Sequence, residues 1–321
     1  MRLLLVVGQG RSGSTLLERV LGELPGVCAL GEAVHVWQDR LHDAERCGCG
    51  ARFSACEFWR AVGDRGFGGW RNVDKRRVVA AWSAVAPTRL LPRLVSPGRD
   101  RLAAINEFVA HHRRVYAAAA AVSGADLVID STKYPALPFC LRWAGDLDVR
   151  VVHLVRDPRG VAYSWTKHIP RPETDGATMV PRYRPARSAL RWSAYNAAVH
   201  VLARMGRQHG HRPPRRVPVC RIRYEDFVID PRRTFQRLTS FAGLDPAPGD
   251  LSYLGDDYVE LGTIHSASGN PMRFTTGRTP LRRDDAWRTG LPVGQRRLVS
   301  AICTPALAAY GYPIVVRSGG R

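Results

Sequence analysis

Residues 8–15, GQGRSGST, have the outline of a phosphate-binding loop that lacks its lysine. A loop of the form GxxxxGK[ST] holds phosphates on backbone amides while its lysine meets the terminal phosphates. Here Gly8 and Gly13 keep that spacing, Ser14 stands at the lysine position, and the positive charge has moved to Arg11. Arg11, Ser12, Ser14 and Thr15 supply side-chain donors, and Gly13 lets a ligand approach the backbone closely. A second stretch, VVHLVRDPRGVAYSW, carries Arg156 and, eight residues on, Ser164. This pair could clamp a second phosphate through a guanidinium and a hydroxyl. The chemistry on offer is anion binding at two points, without the lysine of an ATP loop.

Groups able to move a proton lie nearby. In VCALGEAVHVW, Glu32 and His35 are three residues apart, and either could take a proton from an attacking hydroxyl. A neutral imidazole suits that task near pH 7. His168 is a further candidate, whereas His153 lies inside an apolar run and reads as a core residue. Lys133 closes the strand in LVIDSTKYP, at the C-terminal edge of the sheet, and is one of three lysines, with Lys75 and Lys167, among 48 basic residues. A lysine in so arginine-rich a chain suggests a site that wants a compact ammonium.

These residues need elements to position them. Short β-branched or leucine-rich runs predict buried parallel strands over Leu3–Val7, Leu127–Asp130, Val149–Val155 and Val217–Ile222, with a short one over Val27–Leu30. Most are followed by a turn and a helical pattern, which implies an α/β sheet with helices on both faces. The first helix lines up Leu16, Leu17, Val20, Leu21 and Leu24 and stops at Pro25-Gly26. Asp157 and Pro158 form a helix start, as N-cap and first helical residue, and two turns later Ser164 returns to the Asp157 face. Arg76–Val85 and Arg101–Val122 read as helices of an insertion, about residues 60–124, laid over the ligand edge of the sheet. Residues 169–188 read as a flexible loop able to contact an acceptor. The expected organisation is one domain over residues 1–321, a P-loop-like central parallel sheet flanked by helices, with that helical insertion.

Taken together and in this order, the two anion motifs resemble those of sulfotransferases that use 3′-phosphoadenosine 5′-phosphosulfate (PAPS). The resemblance spans nearly the whole chain and is strongest toward bacterial members and toward the tyrosylprotein and carbohydrate branches. It implies that Arg11, Ser12, Gly13, Ser14 and Thr15 hold the 5′-phosphosulfate and that Arg156 and Ser164 hold the 3′-phosphate. RIRYEDFVIDP is similar to the family's YED stretch, which implies Tyr224 against the adenine. GNPMRF and GRTPLRRDDAWR resemble the C-terminal part of bacterial members, making Arg273 a candidate for closing over the 3′-phosphate, although the RKG form of cytosolic animal enzymes is missing. By the same resemblance Glu32 is the general base, with His35 as competitor, and Lys133 and Arg11 stabilise the departing phosphate. PAPS is then a co-substrate, the acceptor a small molecule with a hydroxyl, and no metal is required for transfer.

A net charge of +20 would ordinarily raise nucleic acid as a partner. The arginines are scattered, however, and neither an RNA-binding signature nor a zinc-finger spacing is present. No run reaches the length that spans a bilayer, and RLLLVV enters the glycine loop directly, so a cytoplasmic location with reduced cysteines is expected. In ERCGCGARFSACEFW, Cys47, Cys49 and Cys56 allow three readings: free packed thiols, a disulfide, or a zinc site with Cys28 or His42 as fourth ligand. An atypical P-loop kinase or NTPase is the alternative function. It would need a loop lysine, which Ser14 replaces, and a magnesium carboxylate, for which Asp130 is the nearest imitation. A binding protein without catalysis is the third. A glycan, a glycolipid precursor or a secondary metabolite fits as acceptor, and the arginines between Tyr183 and Arg191 favour one carrying negative charge.

Overall fold

The computed structural model describes residues 1–171, 179–205 and 214–314. Its centre is a five-stranded, wholly parallel sheet: β1 (Arg2–Val7), β2 (Val27–Ala29), β3 (Leu127–Lys133), β4 (Asp148–Val155) and β5 (Val219–Arg223), in the order β2-β3-β1-β4-β5. β1 is apolar throughout because both of its faces are covered, as buried parallel strands require. Leu3, Leu5 and Val7 face the helices Glu57–Phe67, Lys75–Val85, Arg99–Ser123 and Pro185–Arg204. Leu4 and Val6 face α1 (Ser14–Gly22) and the helices Tyr224–Ile229 and Pro231–Ala242. Leu17, Val20 and Leu21 of α1 are fully buried there, each contributing roughly 1.5–3 kcal/mol.

The connections after β1 and β4 explain where a ligand sits. These strands are hydrogen-bonded neighbours, yet the chain leaves β1 toward β2 on one side and leaves β4 toward β5 on the other. Such a divergence opens a crevice at the carboxyl ends of the two strands, and both anion motifs begin there.

Several boundaries differ from the sequence reading. β3 continues past Asp130 to Lys133, because Val7 pairs with Lys133 beyond an irregularity after Leu5. β5 begins at Val219 instead of Val217. The helical insertion starts earlier, at Glu57, and it covers one face of the sheet and supplies much of the larger core, so it is not a cover over the ligand edge. The span 169–188 is not one loop: Pro170 and Met179 form an antiparallel bridge and a helix begins at Pro185. Residues 172–178 of that span lie outside the described residues. Among the described residues no helix is long and apolar enough to cross a membrane.

Candidate active site

Above the crevice lies a cavity of about 400 Å3. Its floor is the loop between β1 and α1. Gly8 passes so close to β4 that a Cβ there would lie 2.3 Å from the Leu154 carbonyl oxygen. Gly13 combines φ 93° with contact against Tyr224, whose ring a Cβ would meet at 2.4 Å. No side chain caps α1, so its first-turn amides face the loop without the usual Ser or Asp partner. Ser12 Oγ is buried with no hydrogen-bond partner. These are the properties of a cradle for an anion at a helix N-terminus.

Arg156 joins this cradle to the second motif. Its guanidinium donates to the Arg11 carbonyl at 2.9 Å and to Asp284 at 2.8 Å, and lies 4.7 Å from the centroid of the Tyr224 ring. Ser164 lines the same cavity. The next residue, Trp165, donates its indole N–H to the Gly10 carbonyl at 3.0 Å and carries the Arg11 guanidinium 5.1 Å above its ring. Burial lowers the Arg11 pKa, Glu32 opposes that shift, and Arg156 and Arg171 reinforce it. So concentrated a positive field favours an anion.

At the side of the cavity, the Lys133 ammonium donates to Glu32 Oε1, and His35 Nε2 lies 3.4 Å from the other carboxylate oxygen. The Glu32 amide donates to the Ser268 carbonyl at 2.9 Å, fixing the turn on which the carboxylate stands. Burial alone would raise the Glu32 pKa, but Lys133 and His35 outweigh it and hold the carboxyl well below the usual range. Among the described residues, Arg11 (φ 76°) and Lys133 (φ 72°) are the two non-glycine residues with left-handed backbone. Such backbone costs about 1–3 kcal/mol each and gathers at functional sites.

The structure thus brings Arg11, Gly13, Ser14, Thr15, Glu32, His35, Lys133, Arg156, Ser164 and Tyr224 to one cavity, with Ser12 buried beneath the loop. Arg273 does not join them. It is buried, donates to the Ala267 carbonyl at 2.8 Å and braces the 266–270 turn from behind. Arg156 is met in that neighbourhood by a carboxylate, Asp284, where the sequence suggested a further cation. His168 is exposed and outside the cavity wall. His153 is buried on Asn196 at 2.6 Å, with its pKa pushed down by burial to about 4, as a core residue would be. Asp130 accepts from Tyr116 Oη at 2.6 Å and from the Thr132 amide at 2.7 Å, fully buried and away from the cavity, so it offers magnesium no ligand there.

Several wall residues went unread in the sequence. Trp165 and Tyr134 are next-door neighbours of Ser164 and Lys133, a signal that was present. Tyr195 lies one helical turn beyond Arg191, whose Nη2 donates to Tyr195 Oη at 3.1 Å and whose guanidinium is 5.0 Å from the Tyr183 ring. Arg171 falls within the span read as an acceptor-contacting loop and Gly269–Met272 within the GNPMRF segment, but neither had a residue singled out for the cavity apart from Arg273.

Two loops that leave neighbouring strands at the switch point of a parallel sheet meet over one cavity, with a glutamate and a lysine paired at its rim. Residues 4–248 match the model of the sulfotransferase family, and the chain belongs to that family. It is 29% identical over 178 residues to mouse (Mus musculus) carbohydrate sulfotransferase 5, a match covering 52% of this chain and 42% of that protein. It is 27% identical over 183 residues to human (Homo sapiens) carbohydrate sulfotransferase 3, covering 52% and 34% respectively. The matched segment is less than half the length of either relative. Among solved structures, the sulfotransferase domain from the Synechococcus PCC 7002 olefin synthase aligns over 98% of this chain and 95% of its own, with 20% identity and a TM-score of 0.48.

Proposed function

We propose that the chain, acting as one domain, transfers a sulfuryl group from PAPS to a hydroxyl of a small acceptor. The observation that carries this reading is the position of Arg156. It bonds the Arg11 carbonyl and rests on the Tyr224 ring, so two anion loops and an aromatic face share one cavity. The residues present fit a nucleoside phosphorylated at two positions: buried Ser12 Oγ lacks a partner, α1 lacks a cap, and Arg11 and Arg156 converge. Arg11, Ser12, Gly13, Ser14 and Thr15 would hold the 5′ end, Arg156 and Ser164 the 3′-phosphate, and Tyr224 the adenine. When bound, the donor supplies an electrophilic sulfur and a phosphate leaving group.

Glu32 is the base that takes the acceptor proton. In the resting site its ion pair with Lys133 keeps it a weak base. An anion in the cavity competes for the Lys133 ammonium, and as that counter-charge turns away the carboxylate regains proton affinity. Lys133 and Arg11 then face the oxygen on which charge develops, where preorganised cations are most effective. His35 remains beside Oε2, as the competing base or as the group that orients Glu32.

Tyr134, Tyr183 and Tyr195, with Arg191 among them, form the acceptor side. Flat aromatic faces beside arginine side chains suit a saccharide or another ring-bearing metabolite with negative charge, and the names of the carbohydrate sulfotransferases point the same way.

Calorimetry tests the donor. Adenosine 3′,5′-bisphosphate should bind without metal and more tightly than ATP with Mg2+, and the reverse order would favour the kinase or NTPase reading. Glu32→Gln should lower kcat by about a hundredfold to ten-thousandfold while leaving bisphosphate affinity nearly unchanged. Near-wild-type turnover would remove Glu32 from the role of base. Labelled PAPS incubated with native extract, followed by mass identification of the product, names the acceptor.

A further inference from the structure

Outside the cavity, four metal-binding side chains converge where the sequence showed only three. Cys47, Cys49, Cys56 and His265 place their ligand atoms within 4.8 Å of one another. Cys47 and Cys56 are buried, and Cys49 and His265 are partly so. The sulfur separations are 3.6 Å for Cys47–Cys56 and 3.8 Å for Cys49–Cys56, and His265 Nδ1 lies 3.3 Å from Cys56 Sγ and 3.9 Å from Cys47 Sγ. A tetrahedral zinc ion with Zn–S near 2.3 Å and Zn–N near 2.0–2.1 Å requires S···S of about 3.8 Å and S···N of about 3.6 Å. The two S···S separations lie at or just below the first value, and the two S···N separations fall on either side of the second.

The surrounding backbone is arranged for thiolates. Cys47-Gly48-Cys49-Gly50 turns tightly, the Gly50 amide donating to the Cys47 carbonyl at 2.8 Å and the Cys47 amide to the Ala51 carbonyl at 2.8 Å. The Cys49 amide is directed at the Cys47 sulfur and the Trp59 amide at the Cys56 sulfur. Amide-to-sulfur bonds of this kind spread thiolate charge and orient metal ligands. Cys56 also precedes the helix Glu57–Phe67, whose N-terminal dipole favours an anionic sulfur. His265 is held from two sides: its ring stacks on Phe58 at 5.0 Å, and its carbonyl accepts from Trp59 Nε1 at 2.8 Å. A single disulfide would use two of the three thiols and give the imidazole nothing to do.

We propose that Cys47, Cys49, Cys56 and His265 bind one zinc ion in a closed tetrahedral site. Binding displaces the thiol protons and leaves the imidazole neutral, with Nδ1 as its donor atom. The fourth ligand is neither of the two that the sequence suggested. Cys28 lies in β2, and His42 Nε2 is bonded to the Val36 carbonyl at 2.8 Å. The site is structural, because four protein ligands leave no open position. It ties the start of the helical insertion to a segment more than two hundred residues later. That segment runs from His265 to Ser268, Gly269 and Asn270 in the cavity wall, and Ser268 receives the Glu32 amide. The metal would therefore fix the wall behind Glu32 without entering the transfer itself.

The test uses the full chain purified under reducing conditions with no added metal. Elemental analysis should give about one zinc per chain, released when a mercurial blocks the thiols. Replacement by Co2+ should produce a thiolate charge-transfer band and intense tetrahedral d–d bands. Cys49→Ser should lose the retained zinc, whereas Cys28→Ser and His42→Ala should keep it. If Cys49→Ser fails to fold, the wild-type cobalt spectrum decides alone. Zinc near zero together with no cobalt band overturns the proposal, as does a disulfide among these cysteines mapped by mass spectrometry in the fresh protein. Unchanged zinc in a folded Cys49→Ser would overturn it equally. None of these readouts depends on the donor or the acceptor, so a failure here is separate from a failure of the sulfotransfer reading.

Discussion

The loop after β1 enters a helix with no side-chain cap, while the loop after β4 enters one whose N-terminus is capped by a side chain. In the second, Asp157 Oδ1 accepts the Arg159 amide at 2.9 Å and both Asp157 oxygens bind the Arg159 guanidinium, while the Asp157 amide donates to Glu225 at 2.9 Å. A helix end satisfied in this way has few amides left for a ligand. On the proposed reading its anion is caught by side chains, Arg156 and Ser164. In the first, no side chain caps the amides, and the backbone turns through left-handed conformations at Arg11, where it is strained, and at Gly13, where it is not. That reading makes one loop a backbone cradle and the other a side-chain clamp, which predicts that they fail in different ways.

The largest expected effect is on the cradle. Gly13→Ala forces a Cβ into left-handed backbone, about 1–3 kcal/mol, and into the Tyr224 ring. Affinity should fall roughly a hundredfold for adenosine 3′,5′-bisphosphate and for adenosine 5′-phosphosulfate alike, measured by calorimetry. Should only the bisphosphate suffer, the cradle has been assigned the wrong end of the nucleotide. For the clamp, Arg156→Ala removes charged hydrogen bonds, so bisphosphate binding should weaken roughly thirtyfold. Binding of adenosine 5′-phosphosulfate, which has no 3′-phosphate, should fall by less, only through the lost support of the Arg11 carbonyl and the Tyr224 ring. Equal losses for the two ligands would erase the distinction between the loops.

The smallest effect concerns the carboxylates behind the loops. Glu18, fully buried under the cradle, accepts the Gly31 amide at 2.6 Å and the Ser131 hydroxyl, and burial raises its pKa from 4.5 to about 7 against those two bonds. Its folded form therefore binds a proton that the unfolded chain has released, so this group's contribution to stability falls as pH rises from about 4.5 to about 7. Glu18→Gln should flatten that part of the pH profile and raise Tm at pH 8 by a few degrees, about 2 °C for each kcal/mol recovered. A slope that persists in the variant assigns it to another group.

What the sequence disclosed follows from distance along the chain. The Gly8–Thr15 loop, the Arg156–Ser164 pair and the Asp157-Pro158 helix start are local patterns, set by turn geometry and helix periodicity, and all were legible. So were the buried strands, because a parallel strand covered on both faces must be apolar throughout. The placing of Lys133 at the end of β3 was legible too, although the apolar run alone stops at Asp130 and it is the pairing of Lys133 with Val7 that carries the strand on. Arg273 was misplaced because burial depends on packing that no spacing encodes. His265 stayed hidden for the same reason: its partnership with Cys56 spans 209 residues. Long-range contacts built the cavity wall, and only short-range ones could be read in advance.

The left-handed backbone at Arg11 and Lys133 has a consequence for anyone wishing to make this protein hardier. Glycine accepts that conformation without penalty, so Arg11→Gly and Lys133→Gly would both be scored as relaxing substitutions by a search for thermal resistance alone. Each would delete a cation from the cavity. Selection for heat tolerance and selection for turnover would pull these two positions in opposite directions, and retention of a long basic side chain at either is a mark of use over durability.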